Sequence, residues 1–481
     1  MAAYLVLAPA VAALLALAAP SNRWRPWLLP IGSAVHLALT AAVVRSPAAI
    51  SAWDGWLALD APGKVFLLAT STLHFLCMLY APGYLALRPE RPNRVLCACL
   101  LASLSMMTLV ILSQHLGLMW VAVEATTLTT APSIYFNHNA RSLEATWKYL
   151  LLCSVGIALA LLGSFFLAYS AIYAGLEPTL SFEGLLAHAP ELSRPWLHAA
   201  FILLLVGYGT KMGLAPMHAW KPDAYGEAPG LVGALLAGGV TSCVFFALLR
   251  IHQIAVRGGD GPFASRAMIF FGLLSMAAAA AFMVRQRDFK RLLAYSSVEH
   301  MGILAFGAGI GGAAMYGVLL HVINNALTKG ALFLSAGNIH RAYGSKLTDN
   351  VQGAMRALPL SGPLFFLGFL AGCGSPPFGT FVSEFSIITA AFRQRHFAAA
   401  TLFLAALLAV FFGMGAVVTT VTMGRPSAAG VKAAFPDGLR TGAPILALIG
   451  LAFLLGVYIP PVLSDVLKEA VVALNANVAR R

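Results

Sequence analysis

The placement of apolar stretches along the chain constrains its fold more than any other feature. Only 10% of the 481 residues are charged and 59% are hydrophobic, whereas soluble domains carry roughly 25% charged residues. Stretches close to the ~20 apolar residues that cross a bilayer lie near 2–20, 27–44, 61–80, 95–112, 114–135, 145–170, 196–219, 229–251, 267–284, 292–312, 316–340, 361–392, 398–423 and 442–460. We therefore predict an all-α polytopic membrane protein with about 14 transmembrane helices.

The distribution of charged residues predicts the orientation of the protein. The net charge is +13, yet no basic run is interleaved with aromatic residues as in a nucleic-acid-binding surface. Eighteen lysines and arginines, among them Lys221 and Lys290, lie in loops after odd-numbered apolar windows, whereas eight lie in loops after even-numbered windows and three lie in the tail. Because cytoplasmic loops are enriched in these residues, we predict a multi-pass protein of a bacterial or archaeal cytoplasmic membrane with both termini outside. We expect it to contact the lipid bilayer and not to bind nucleic acid.

The six cysteines give no sign of a metal site. All lie in apolar stretches, and none has the spacing of a zinc or iron–sulfur site. We therefore predict no metal and no cofactor. Any redox chemistry would then belong to partner subunits.

Two of the predicted helices are interrupted by residues that an α-helix does not tolerate. One window contains Pro216 within residues 213–216, and another contains Pro376 and Pro377 within residues 372–379. An interior proline removes a backbone hydrogen bond and clashes with the preceding turn. The two breaks lie five windows apart, so the units around them have opposite orientations, which is typical of inverted-repeat transporters.

This symmetry predicts four segments. Residues 1–94 hold helices 1–3, and residues 95–256 form a first inverted repeat of five helices with the first break. Residues 257–425 form the second repeat, and residues 426–481 hold helix 14 and a tail.

Ionisable residues inside the apolar windows are the candidate functional residues, because a charge at the bilayer centre is costly. We predict a proton pathway formed by Glu124, Lys211, His300, His321, Lys329 and Glu384. On one window, helical spacing places His321, Asn324, Asn325, Thr328 and Lys329 on a single face about 12 Å long. A packing hydrogen bond is the alternative for a single asparagine, and a purely structural ion pair is the alternative for Glu124 with Lys211.

Other polar residues have two open interpretations. Glu299 adjoins His300 on a different face of the helix, so we expect either a relay role or a surface contact with another subunit. Three residues beyond the first break are either entrance groups for protons or solvated loop charges: His218, Asp223 and Glu227. The isolated histidines are expected to serve packing or interfaces: His36, His74 and His115.

Three stretches carry a resemblance to a known family. They are residues 208–229 (YGTKMGLAPMHAWKPDAYGEAP), 288–302 (DFKRLLAYSSVEHMG) and 321–333 (HVINNALTKGALF). Together they resemble the antiporter-like membrane subunits of respiratory complex I, multisubunit cation/proton antiporters and group 4 hydrogenases. Residues 123–130 (VEATTLTT) and 147–156 (WKYLLLCSVG), with Val298-Glu-His, are most similar to the branch that contains component F of hydrogenase-4.

The resemblance implies a proton channel in which Glu124 pairs with Lys211, His321 and Lys329 continue the axis, and Glu384 is the terminal residue of the second half. The sequence departs from the family at two places. Ser242 stands where many relatives carry a bridging lysine, and Lys221 and Tyr225 replace a leucine and a histidine. The missing bridge leaves a gap between Lys211 and the His321 face, which ordered water would have to fill.

Several functions remain open from the sequence. The primary hypothesis is a proton-translocating subunit of a hydrogenase-4-like or complex I-like redox complex, whose partners are other membrane subunits of the same family and peripheral hydrogenase-like or quinone oxidoreductase-like subunits. The alternatives are a sodium/proton antiporter subunit, an inorganic-carbon uptake subunit, and a structural scaffold with a degenerate channel. Since no redox site is present in the sequence, enzymatic activity would belong to the whole complex.

Overall fold

The computed structural model describes residues 1–46, 50–425 and 436–475, and these residues are nearly all helical. The first half of the chain contains helices α1 to α11 at Ala2–Ala18, Leu28–Arg45, Ala61–Ala86, Arg94–Leu112, Leu116–Ile134, Ala140–Tyr173, Phe182–Ala187, Arg194–Met212, Trp220–Glu227, Gly230–Leu235 and Thr241–Ala255. The second half contains α12 to α20 at Gly261–Met283, Phe289–Ile310, Ala314–Tyr343, Ala354–Ala357, Ser361–Gly372, Gly379–Arg393, Phe397–Met423, Leu439–Val457 and Pro461–Asn475.

The predicted all-α membrane fold is confirmed. Each predicted window falls on a helix or on the two halves of a broken one. Among the described residues, eight helical stretches are long and apolar enough to cross a membrane, and shorter apolar helices accompany them. The longest stretch, Gly230–Met283, contains α10, α11 and α12. A wide π-helical turn at Leu236–Val240 joins α10 to α11, whereas the chain kinks between α11 and α12 at Val256–Asp260, where Gly259 has φ +83.

Small elements outside the apolar windows were not predicted. Strands β1 (Ile50–Ala52) and β2 (Leu57–Leu59) form an antiparallel hairpin between α2 and α3. The short α7 lies in the longest connection, and α20 follows the last apolar window. Lys432, Arg480 and Arg481, which were counted in the prediction of orientation, lie outside the described residues.

Both predicted helix breaks are present. Helix α8 ends at Met212 and α9 begins at Trp220, while α16 ends at Gly372 and α17 begins at Gly379. Gly213 ends α8 in the left-handed conformation, with φ +81, which a residue without Cβ adopts readily. The chain therefore exposes helix ends inside the bundle at both breaks.

Glycines let the helices around the first break pack closely. A Cβ on Gly207 of α8 would lie 2.6 Å from the backbone nitrogen of Ala160 on α6, and one on Gly156 would lie equally close to Thr210. Without a hydrophobic force between helices in lipid, such close contacts hold them together. The α6–α8 contact positions Lys211, near the end of α8, against α6.

Two buried histidines join the N-terminal helices. His36 of α2 shares hydrogen bonds with Ser71 of α3 (2.9 Å) and Thr108 of α4 (3.0 Å). His74 of α3 does the same with Ser33 (2.8 Å) and the backbone carbonyl of Leu100 (3.0 Å). Both rings therefore have two partners each, which is an interhelical packing arrangement.

Candidate functional site

Lys211 lies in the last turn of α8, just before the first break, and is completely buried. Its Nζ donates hydrogen bonds to the hydroxyls of Thr127 and Tyr149, both at 2.7 Å. The ammonium group also lies 4.5 Å from the centre of the Tyr149 ring. Helices α5 and α6 thus supply neutral oxygen partners to Lys211.

Glu124 is linked to Lys211 through a hydroxyl group. Thr127 donates to Oε2 of Glu124 at 3.3 Å, and Ser154 donates to Oε1 at 2.8 Å. The order is therefore Lys211, Thr127, Glu124, which differs from the direct pair that the resemblance implied. Thr127 was not among the predicted pathway residues, although its position three residues after Glu124 places both on one helix face.

Glu384 occupies the corresponding place beside the second break. It lies in the second turn of α17 and is 5% exposed. Gly374, with φ +63, packs its backbone against the Glu384 carboxylate, where a Cβ would collide with it. The irregular segment with Pro376 and Pro377 thus brings backbone into contact with a buried acid.

A pair of histidines connects the second break to helices α13 and α14. Nε2 of His300 donates to the carbonyl of Gly372 (2.9 Å), so Nδ1 of a neutral ring accepts from Nε2 of His321 at 3.0 Å. Nδ1 of His321 lies 2.9 Å from Oγ of Ser383 on α17. A hydrogen-bonded chain therefore runs from α16 through both rings to α17.

His300, His321 and Glu384 also form a group that could hold a metal ion, since one ligand atom from each lies within 4.8 Å of the others. In this arrangement both nitrogens of His300 are engaged in hydrogen bonds. A metal ligand needs a free lone pair on the nitrogen, so neither nitrogen of His300 is available to a metal ion in this arrangement.

Lys329 lies near the centre of α14, and its Nζ donates to Oγ of Ser296 at 2.5 Å. An ionised carboxylate on either Glu299 or Glu384 would stabilise this ammonium group. Glu299 is only 2% exposed, and its Oε2 is buried without a hydrogen-bond partner among the described residues. The surface alternative for Glu299 is therefore wrong, because α13 is enclosed on the side that carries this residue.

On the polar face of α14, the residues between His321 and Lys329 make weaker contacts than these two end residues. Thr328 and Asn324 bond to the backbone of their own helix, at 2.9 and 3.0 Å. Asn325 reaches only the carbonyl of Ala237, at 3.5 Å. The side-chain oxygens of both asparagines are buried without a partner among the described residues, so they remain available to accept hydrogen bonds.

Within residues 1–46, 50–425 and 436–475, the Ser242 side chain makes no hydrogen bond that links the two halves. It lies in the first turn of α11, and its hydroxyl donates to the carbonyl of Gly238 on the preceding turn at 2.8 Å. Such a bond to the helix's own backbone is typical of a buried serine.

Two lysines assigned to loops are in fact buried. Lys290 is 1% exposed and donates to the carbonyl of Ala228 at 2.5 Å. Lys221 is completely buried and donates to Ser297 Oγ at 3.1 Å. The sequence signal for Lys221 is Pro222, since proline favours the first turn of a helix and so marks the start of α9 immediately after the break.

A polar cavity of about 1170 Å³ opens at one end of the bundle. Eight lysines and arginines and four acids line it, and all eight cations belong to the group predicted to follow odd-numbered windows. Asp223 pairs with Lys148 (2.9 Å) and with Arg291, and Glu227 pairs with Lys346 (2.6 Å). These two candidate entrance acids therefore line the same cavity, and each forms an ion pair with a basic residue there.

His218 is separate from that cavity. Its ring packs near Phe282 and Tyr295, with ring centres 6.0 and 6.2 Å away. Its Nδ1 is buried without a hydrogen-bond partner among the described residues. The predicted cluster of three entrance residues is thus divided into two acids on the cavity and a histidine beside a stacked pair of aromatic rings.

Asp223 gives a pH-dependent prediction. Burial alone would raise the pKa of Asp223, but the hydrogen bonds and charges of Lys148 and Arg291 hold it below its ordinary value. Its contribution to stability is therefore present above the unfolded pKa, near 3.9, and is lost as the pH falls through the lower folded pKa. Because the pair is partly exposed, Asp223→Asn is expected to cost less than about 1 kcal/mol at pH 7.

Thermal denaturation of the purified protein in detergent at pH 7 and near pH 3 checks this. The midpoint should fall by no more than about 2 °C at pH 7 and by less near pH 3, where the contribution of the carboxylate is already decreasing. Asp465→Asn, at a residue with a 70% exposed side chain, is the control. An equal loss at both pH values would show that the carboxylate charge is irrelevant.

Comparison with known proteins identifies relatives of this chain. The membrane family described as "NADH:quinone oxidoreductase/Mrp antiporter, TM" matches residues 113–412. The chain is 35% identical over 414 residues to the hydrogenase-4 component F homolog of Methylacidiphilum infernorum (isolate V4), covering 82% of this chain and 84% of that protein.

Solved structures share the fold over nearly the whole chain. A subunit of the archaeal membrane-bound sulfane sulfur reductase is similar with a TM-score of 0.88 at 22% identity, covering 99% of both chains. A subunit of the Mrp complex from Dietzia sp. DQ12-45-1b is similar with a TM-score of 0.85 at 20% identity, covering 99% of this chain and 98% of that one.

Proposed function

Because the chain belongs to the NADH:quinone oxidoreductase/Mrp antiporter family of membrane subunits, we propose that it translocates protons within a hydrogenase-4-like or complex I-like redox complex. The observation that carries this proposal is the series of buried titratable groups along the bundle. Lys211, Lys329, His300 and His321 are completely buried, and each is hydrogen-bonded to a polar group on another helix.

The first half of the pathway responds to the distance between Glu124 and Lys211. The Glu124 carboxylate stabilises the Lys211 ammonium through the Thr127 hydroxyl. Electrostatic attraction in a bundle of low dielectric constant changes steeply with distance. A movement that lengthens this link therefore favours loss of the proton from Lys211 towards the centre of the bundle.

The second half carries the proton to Glu384. Lys329 has the carboxylates of Glu299 and Glu384 within electrostatic range, so a proton on it is stabilised when both acids are ionised. The His321–His300 pair can accept a proton on one ring nitrogen and release one from the other. We assign Glu384 as the terminal site, beside the second break.

Redox chemistry belongs to the partners in this proposal. We infer that other membrane subunits of the family contact this chain and that peripheral hydrogenase-like or quinone oxidoreductase-like subunits supply the driving force. The relatives support this, since one is a hydrogenase-4 component F homolog and another structure is a sulfane sulfur reductase. Movement at the junction with these partners would alter the Glu124–Lys211 distance.

We also propose the orientation and the internal symmetry. The cations gathered around the polar cavity favour the cytoplasmic side for that end of the bundle, with both termini on the opposite side. The two broken helices, α8–α9 and α16–α17, support an inverted repeat of residues 95–256 and 257–425. Asp223 and Glu227 would then lie where protons enter from the cytoplasm.

Glu124→Gln tests the function. In inverted vesicles supplied with the electron donor that the purified complex oxidises, we expect the initial rate of acidification to fall at least about tenfold. The uncharged glutamine amide cannot stabilise the protonated form of Lys211 as the Glu124 carboxylate does. Glu191→Gln is the matched control, because the Glu191 side chain is 59% exposed and lies outside the polar cavity and the proposed pathway. Equal rates in both variants and the wild type would exclude the proposed pathway.

A sodium/proton antiporter subunit is the second candidate, favoured by the similarity to the Mrp complex. Vesicles without an electron donor distinguish the two. Sodium added to vesicles with a preformed proton gradient should dissipate the gradient only if the chain exchanges sodium for protons. The redox proposal expects no such sodium dependence.

A further inference from the structure

Lys221 is a buried ionisable residue that the pathway above does not use. It lies at the start of α9, just after the first break, and is completely buried. Its side chain runs back past Gly213, whose missing Cβ leaves room for the lysine methylenes. The ammonium group therefore points into the bundle from the broken helix that also carries Lys211.

Lys221 lies between the two lysines of the proposed pathway. Its Nζ donates to Oγ of Ser297 (3.1 Å) on α13. The adjacent residue, Ser296, accepts the hydrogen bond from Lys329 at 2.5 Å. Two neighbouring serines thus hold Lys221 and Lys329 at the same turn of α13.

Towards the first half, the Lys221 ammonium lies against Gly213, two residues after Lys211, since a Cβ on Gly213 would lie 2.9 Å from Nζ. The Tyr225 ring centre lies 5.8 Å from the Lys221 ammonium, and the buried Tyr225 hydroxyl has no hydrogen-bond partner among the described residues. Lys221 is thus placed between the end of α8, which carries Lys211, and the serine pair of α13, which holds Lys329.

A structural role accounts poorly for this placement. No carboxylate forms an ion pair with Lys221 among the described residues, and the hydrogen bonds that it makes within the described part of the chain go to the hydroxyl and the carbonyl of Ser297. A permanently charged lysine without a counter-charge is expensive in such surroundings. An apolar side chain of similar length would fill the same space at lower cost, so the amine itself must have a use.

We propose that Lys221 is a third proton-carrying lysine, which links Lys211 to Lys329 in place of a bridging residue at Ser242. This inference rests on the proposed function. Each step moves one proton: the donor ammonium becomes an amine and the acceptor amine becomes an ammonium. The Ser297 and Ser296 hydroxyls can each accept one proton while donating another, so the transfer needs no other reactant.

Lys221→Met tests the assignment, since methionine fills similar space without an amine. We expect the redox-driven acidification rate in inverted vesicles to fall at least about tenfold with the complex assembled. Lys221→His should recover a substantial fraction of the rate at mildly acidic pH, because imidazole also carries protons. Lys290→Met, at a buried lysine outside this series, is the matched control and should keep its rate within about twofold.

Three results would overturn the assignment: an unchanged rate in Lys221→Met, a loss that Lys221→His does not recover, or an equal loss in Lys290→Met. Should Lys221→Met fail to assemble, Ser297→Ala keeps the lysine but removes its hydroxyl partner, and an unchanged rate there would contradict the link. If one of these results is obtained while Glu124→Gln is inactive, only the assignment of Lys221 is wrong. If Glu124→Gln is active, the proposed function itself fails.

Discussion

Lys211→Met is expected to abolish redox-driven proton translocation while the complex still assembles. The variant removes the only proton-carrying group at the end of α8, and we expect the rate to fall at least about 100-fold. Assembly should survive because the two hydroxyls that Lys211 contacts keep other partners. Thr127 retains Glu124, at 3.3 Å, and Tyr149 retains Thr130, at 2.7 Å.

The measurement compares acidification of inverted vesicles with the amount of assembled complex. Lys468→Met is the control, because the Lys468 side chain on α20 is 67% exposed. Electron transfer by the complex is followed in the same vesicles. A Lys211→Met complex that assembles and still acidifies the vesicles at the wild-type rate would exclude Lys211 from the pathway.

His321→Gln is expected to have the second largest effect. Glutamine can preserve hydrogen bonds like those that His321 makes with His300 and Ser383, at 3.0 and 2.9 Å, but it does not take up a proton near neutral pH. The variant therefore separates packing from proton transfer. We expect translocation to fall at least about tenfold, with assembly and thermal stability close to those of the wild type.

His36→Gln is the matched control for His321→Gln. His36 is also completely buried and also has two hydrogen-bond partners, but it lies between α2, α3 and α4. Loss of translocation in His321→Gln alone is the predicted result. An equal loss in both variants would mean that buried histidines matter only for the stability of the bundle.

The sequence was sufficient for the membrane fold because the bilayer imposes a simple rule on composition. Every crossing needs an apolar stretch of minimum length, and these stretches were found close to the helices of the structure. The breaks were also predictable, since Pro216 and the Pro376–Pro377 pair cannot continue a helix. The β1–β2 hairpin and α20 carry no such signal.

The site was predicted only in part, because side-chain contacts depend on packing between distant helices. Lys211, Lys329 and His321 could be identified because they lie inside apolar windows. The sequence could not show that Thr127 separates Glu124 from Lys211 or that the side of α13 that carries Glu299 is enclosed.

Lys221 was misplaced for a related reason. It follows a break, where loop lysines are common. The conclusion that its side chain turns inward requires the position of α9 against α13.

The most direct test of the account is the number of protons moved per electron transferred by the purified complex in proteoliposomes, with and without Lys329→Met. Lys329 lies in the middle of the proposed axis: its Nζ donates to Ser296, and an ionised Glu299 or Glu384 would stabilise its charge. The account predicts that electron transfer continues while the proton-to-electron ratio falls. An unchanged ratio in an assembled Lys329→Met complex would contradict it.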